Sequence, residues 1–110
     1  MLNNNKFTLN GDQWVASILD FKVSLTDKCM TVFHGENEVE GVLRFPDGLT
    51  DLNESSFTYS ELGNRTAILL PDDSGHVEIV QYGNDLHLNH YNTNGVVVEK
   101  LQVASTLAHT

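Results

Sequence analysis

The side chains able to do chemistry are few, and most have a simpler explanation. His87 and His90 stand three apart, a spacing that invites a metal pair, with His34 or His76 as a third ligand from a neighbouring strand. On a strand, however, residues three apart point to opposite faces and sit roughly 10 Å apart along the backbone. Ligands of one zinc ion must each reach it within about 2 Å. Polar residues alternating along a half-exposed strand account for the pair more simply, so neither a metal nor any other cofactor is expected. Cys29 and His34 have the types of a nucleophile and its base, but no glycine-flanked nucleophile turn accompanies them. A lone cysteine in a strand is usually a small buried hydrophobe. Serine, histidine and aspartate occur without a Gly-x-Ser-x-Gly context, and no glycine-rich phosphate loop is present. The adjacent acids Asp72 and Asp73 lie in a turn built by Pro71 and Gly75, and turn chemistry explains them better than a general acid and base. No catalytic residue is assigned, and an enzyme is not expected.

Charge carries more information. Six Lys and Arg against 15 Asp and Glu give a formal net charge of -9 at pH 7. Such a field repels a phosphate backbone, which disfavours nucleic-acid binding. It attracts a basic protein, chiefly by raising the association rate. The acids concentrate in Glu36, Glu38, Glu40, Asp47, Asp51, Glu54 and Glu61, a span where Arg44 is the only base, and Asp72 and Asp73 extend it. With Tyr59 as an amphipathic anchor, these are the candidate partner-binding residues; Tyr82 and Tyr91 are further possible anchors. The competing explanation is a solvated face that serves solubility alone.

The elements that must position these residues read as strands. The clearest are the three within residues 76–103, joined by turns at Gly83-Asn-Asp85 and Asn92-Thr-Asn-Gly95, a meander whose Asn and Gly residues accept the positive φ angles of tight hairpins. Upstream, residues 6–9 form a short alternating run closed by Asn10-Gly11. Residues 12–20 fit either a helical turn capped by Asp12 or a strand. The period-two row Val15, Leu19, Phe21, Val23 and Leu25 includes more residues, so one strand over about 14–25 is expected. Further strands follow at 29–34 and 38–45, the latter with Val39, Leu43 and Phe45 on one face and Glu38, Glu40, Val42 and Arg44 on the other. Pro46-Asp-Gly48 stops it. Residues 49–62 read as a loop plus a strand, with Thr50 or Asp51 able to cap a short helix, and the apolar run 65–70 as a strand covered on both faces. The tail, 104–110, shows no alternation and is expected to fray.

Turn signals near residues 11, 27, 36, 47, 63, 73, 84 and 94 approach the spacing of about 8–12 residues typical of an all-β sandwich or barrel. The expected architecture is a single all-β domain over 1–110, an antiparallel β-sandwich or partly open barrel of about eight or nine strands ending in the three-stranded meander. At 110 residues the chain can bury a core without staples, and its single cysteine cannot form an internal disulfide. No stretch has the length of a signal peptide core or a bilayer span, so no membrane association is expected and the cytoplasm is the expected compartment.

The layout as a whole resembles a known group. A short first strand precedes Asp12-Gln-Trp-Val-Ala-Ser-Ile-Leu-Asp20 and an acidic middle; Val42-Leu-Arg-Phe-Pro-Asp-Gly48 is then followed by Leu52, Phe57 and Gly63-Asn-Arg-Thr-Ala-Ile-Leu69. Together these are similar to small β-rich immunity proteins of bacterial polymorphic-toxin and contact-dependent-inhibition systems. The resemblance implies a non-enzymatic cytoplasmic inhibitor that binds one cognate toxin, often a basic nuclease, and blocks its active site. It transfers no binding residue by position. Two other readings stand beside it: a β-barrel or sandwich that holds a small ligand in its interior, and a structural subunit that assembles through a sheet edge.

Overall fold

A computed structural model describes residues 6–34, 37–45, 48–49, 51–71 and 75–103, with the side chains of 37–41 left aside. Among these residues the chain forms ten strands and one 3₁₀ turn. The first five are β1 (Thr8–Asn10), β2 (Gln13–Ile18), β3 (Phe21–Leu25), β4 (Cys29–His34) and β5 (Asn37–Arg44). The 3₁₀ turn Glu54–Ser56 leads into β6 (Phe57–Tyr59), β7 (Arg65–Leu69), β8 (His76–Tyr82), β9 (Asp85–Tyr91) and β10 (Val97–Val103). Each set of five forms an antiparallel meander in sequence order, so the fold is all-β, with two five-stranded sheets and no closed barrel. The meander of residues 76–103 is present as expected. No helix among the described residues is long and apolar enough to cross a membrane.

The strand expected over 14–25 is instead a hairpin. Ile18 pairs with Phe21, leaving Leu19-Asp20 as a two-residue loop, and Leu19 takes a φ of 56°. The φ signature matches that of the β1–β2 and β8–β9 hairpins, where Gly11 (66°) and Gly83 (61°) hold the first loop position. Positive φ at that position is the mark of a type II′ turn, which normally selects glycine. With leucine there, the turn carries no compositional signal. What does betray it is parity: the buried apolar residues are Trp14, Ala16 and Ile18 before the loop, and Phe21, Val23 and Leu25 after it. An uninterrupted strand cannot move its apolar set from even to odd positions without turning its other face to the core.

Two further expectations are revised. The run Arg65–Leu69 is covered on one face only: Thr66 and Ile68 are buried, while Leu69 is 58% exposed. Antiparallel sheets often bury one face and leave the other wet, and β7 follows that rule despite its apolar composition. The cap near residue 50 belongs to Asn53, which makes a capping box with Ser56, and the turn it starts lasts only three residues. The count of ten strands, against eight or nine expected, follows from splitting 14–25.

The inward faces of both sheets form one cluster. Trp14, Ile18, Val23, Leu25, Met30, Val32 and Leu43 of the first sheet lie in the same core as Phe57, Ile68, Val77, Ile79, Leu86, Leu88 and Val103 of the second. At one rim, Phe57 stacks on Phe7 (5.1 Å between centroids) and meets Trp14 at 4.9 Å, while the Phe7 N–H donates to the Tyr59 hydroxyl at 2.7 Å. At the other rim, the Arg44 N–H donates to Glu99 Oε1 at 2.7 Å, joining the end of β5 to β10.

One glycine is required by close approach. Gly75 has a φ of 116°, and a Cβ built there would lie 1.8 Å from the Tyr91 carbonyl oxygen and 2.9 Å from Asn92 Cα. Both are main-chain atoms, so no side chain can swing aside. Gly75→Ala is expected to destabilise the protein by about 2–4 kcal/mol through backbone strain and overpacking. A drop in the urea midpoint at constant slope checks this; an unchanged midpoint would mean that the β7–β8 connection yields at no cost.

Candidate functional site

The partner-binding residues expected from sequence separate into three groups. Asp51, Glu54 and Glu61 are exposed; Asp51 and Glu54 lie on the crossover between the sheets and Glu61 in the β6–β7 turn. Glu38 and Glu40 lie on β5, and Glu36, Asp47, Asp72 and Asp73 fall outside the described residues. Tyr59 turns inward. It is half-buried, packs against the core and accepts the Phe7 N–H through its hydroxyl. Burial pushes its phenol pKa up, and the Glu54 carboxylate adds to that while the Phe7 N–H opposes it. Among the tyrosines, Tyr82 is the exposed one, at 61%, with its ring edge-on to His87.

Asp51 has company that sequence reading missed. It lines an open cleft of about 180 Å³ together with Asp12, Trp14, Leu25, Thr26, Asp27, Leu49 and Leu52. Three acidic residues thus share the lining with the buried apolar residues Trp14, Leu25 and Leu49. Each arrives from a different turn. Asp12 is the second residue of the β1–β2 loop, and Asp27 belongs to the β3–β4 turn, where Thr26 Oγ1 accepts the Lys28 and Cys29 N–H groups. The crossover is fastened to that turn: the Leu49 N–H donates to the Asp27 carbonyl at 2.6 Å, and the Phe45 N–H to the Lys28 carbonyl at 2.8 Å. Asp51 has a φ of 59°, and its carbonyl accepts the side-chain amide of Asn53 at 3.3 Å. On the opposite face of β2 and β3, Gln13 accepts a hydrogen bond from the Ser24 hydroxyl.

Chemically, the arrangement suits a cation. Carboxylates accept charge-assisted hydrogen bonds from ammonium or guanidinium groups, and an indole face attracts cations. The volume admits the end of one long side chain rather than a large ligand. The groups of three or more His, Cys, Asp and Glu that a metal ion needs do not occur among the described residues. His87 and His90 lie on opposite faces of β9, as strand alternation demands: His90 is buried with Leu86 and Leu88, whereas His87 is half-buried on the outer face.

A second, wider groove of about 650 Å³ lies where β7 leads into β8 and β9 into β10, lined by Leu69, Leu70, Gly75, His76, Asn92, Thr93 and Gly95. Here the His76 ring stacks on Tyr91 at 4.7 Å, between Leu69 on β7 and Val97 on β10 in the cross-strand register. This outer face is close to neutral, with Arg65 paired to Glu78 and Asp85 offset by Lys100.

The inward setting of Tyr59 makes a stability prediction. Tyr59→Phe leaves the Phe7 N–H without its acceptor and is expected to cost about 1 kcal/mol in urea unfolding. Because the fold favours the neutral phenol, stability is complete below the free tyrosine value near 10 and declines as pH rises past it. That alkaline decline should be shallower in Tyr59→Phe; equal slopes would show that the hydroxyl is as well solvated folded as unfolded.

Comparison with protein-family models, with curated proteins and with solved structures finds no match for this chain.

Proposed function

We propose that this chain is a cytoplasmic, non-enzymatic binding protein built on a β-sandwich, an immunity or inhibitor protein that neutralises a basic nuclease-type toxin by covering its active site. The observation that carries the reading is the Asp12, Asp27 and Asp51 cleft, floored by Trp14 and Leu25, on a chain of net charge -9. A nuclease active site that attracts phosphate also attracts carboxylates, so an acidic cleft competes for the same basic groups. Its apolar floor supplies what a charged rim alone lacks, a desolvated seat for the stem of a lysine or arginine. Glu54, two residues past Leu52 on the crossover, adds a further exposed carboxylate. A second reading, a small-ligand-binding protein, has the groove beside Leu69 and the His76–Tyr91 stack as its site.

Calorimetric titration against the basic nuclease domains encoded beside this chain's own gene tests the proposal. One-to-one binding that loses nuclease activity and weakens with salt is the expected result, and no binding to any of them would sink the idea. Within a binding pair, combining Asp12→Asn, Asp27→Asn and Asp51→Asn is expected to slow association by about tenfold at low salt. An unchanged rate would move the contact surface away from the cleft.

A further inference from the structure

His90 is 7% exposed, and its Nδ1 atom is buried without a hydrogen-bond partner. Buried polar atoms in folded proteins are paired in the great majority of cases, so an orphan calls for a reason. The ring meets Phe45 edge-on, with centroids 5.3 Å apart. In register, His90 lies opposite Val77 on β8 and Glu99 on β10. Glu99 stands at the irregularity in the β9–β10 pairing, and its Oε1 is the atom that accepts the Arg44 N–H at the exposed rim. Glu99 therefore neighbours His90 across the β9–β10 pairing while its carboxylate holds the backbone of the facing sheet.

We propose that this seam is operated by a proton: protonating His90 makes both ring nitrogens donors, draws Glu99 to the imidazolium, and releases the Arg44 N–H so that the β5 and β10 edges part. Parted edges are templates for strand pairing, which would make the rim available to another chain under acid conditions. Among the described residues, the titratable groups acting on His90 are Glu99 from β10 and His76 from β8. The end of β5 brings the Phe45 ring and the Arg44 N–H, and on β9 itself Asn89 and Tyr91 alternate to the other face. Burial holds the imidazole pKa below the usual histidine value; Glu99 opposes this and His76 reinforces it. The sign follows: the neutral ring is favoured in the fold, so stability is complete above the free histidine value near 6.5 and is lost as pH falls below it.

Two-dimensional NMR of the full chain from pH 8 to pH 5 tests the seam. The Arg44 amide resonance is expected to shift with the same midpoint as the His90 ring signals. In His90→Gln it should stay put across that range, and in Glu99→Gln it should no longer follow His90. An Arg44 amide that does not move while His90 titrates would overturn the proposal, because Glu99 would then be serving both groups at once. So would an amide that still titrates in His90→Gln. Should that variant fail to fold, the wild-type midpoints decide alone: unequal values for His90 and Arg44 refute the coupling.

Discussion

Burial of the two inward faces against each other is the interaction on which the remainder depends. A five-stranded antiparallel sheet with one apolar face cannot stand in water unless something covers that face. Here each sheet covers the other: Ile18, Val23 and Leu25 share a core with Ile68, Ile79 and Leu88. Each such side chain contributes about 1.5–3 kcal/mol when fully buried. The larger consequence is that strand parity becomes compulsory. A slip of one residue in any strand would send its apolar set into solvent, so every turn must deliver the next strand in the correct phase.

That constraint explains which parts of the fold were legible in the sequence. Gly11 and Gly83 announce their hairpins because positive φ at the first loop position selects glycine, and Asn92 announces its own by accepting the Asn94 and Val96 N–H groups through its side chain. Leu19 occupies the same kind of position as Gly11 and Gly83, yet it is partly buried against the core, where a glycine would leave space. Packing outweighed backbone preference, and the turn became invisible to composition. Leu69 deceived in the opposite sense. Its place at the end of an apolar run suggested burial on both faces, but nothing among the described residues covers the outer face of β7. A run of apolar letters records neighbours along the chain, whereas burial is decided by what lies across the sheet.

The candidate site was legible in character and not in membership. Acidity is countable, and the density of acids between residues 36 and 61 drew attention to the crossover that carries Asp51 and Glu54. Asp12 and Asp27 gave no such signal, because each is a lone acid in its own turn. They join Asp51 only after β2 and β3 fold back as a hairpin and the Leu49 N–H fastens the crossover to the Asp27 carbonyl. Tyr59 illustrates the converse. Its amphipathic type suits an exposed anchor, but a tyrosine can satisfy its hydroxyl internally, and the Phe7 N–H supplied the partner.

The two rims where the sheets meet use different chemistry for the same task. At the Phe7, Trp14 and Phe57 rim, aromatic contact closes the core, and the Phe7 N–H is held by a phenol that ionises only in alkali. At the Arg44 and Glu99 rim, a carboxylate and a buried imidazole do so. Phe45 links this second rim to the cleft. Its ring packs on His90, and its N–H is held by Lys28, one residue from the Asp27 carbonyl that fastens Leu49 beneath the three carboxylates. Packed and hydrogen-bonded neighbours thus run without a break from His90 to the lining of the acidic cleft.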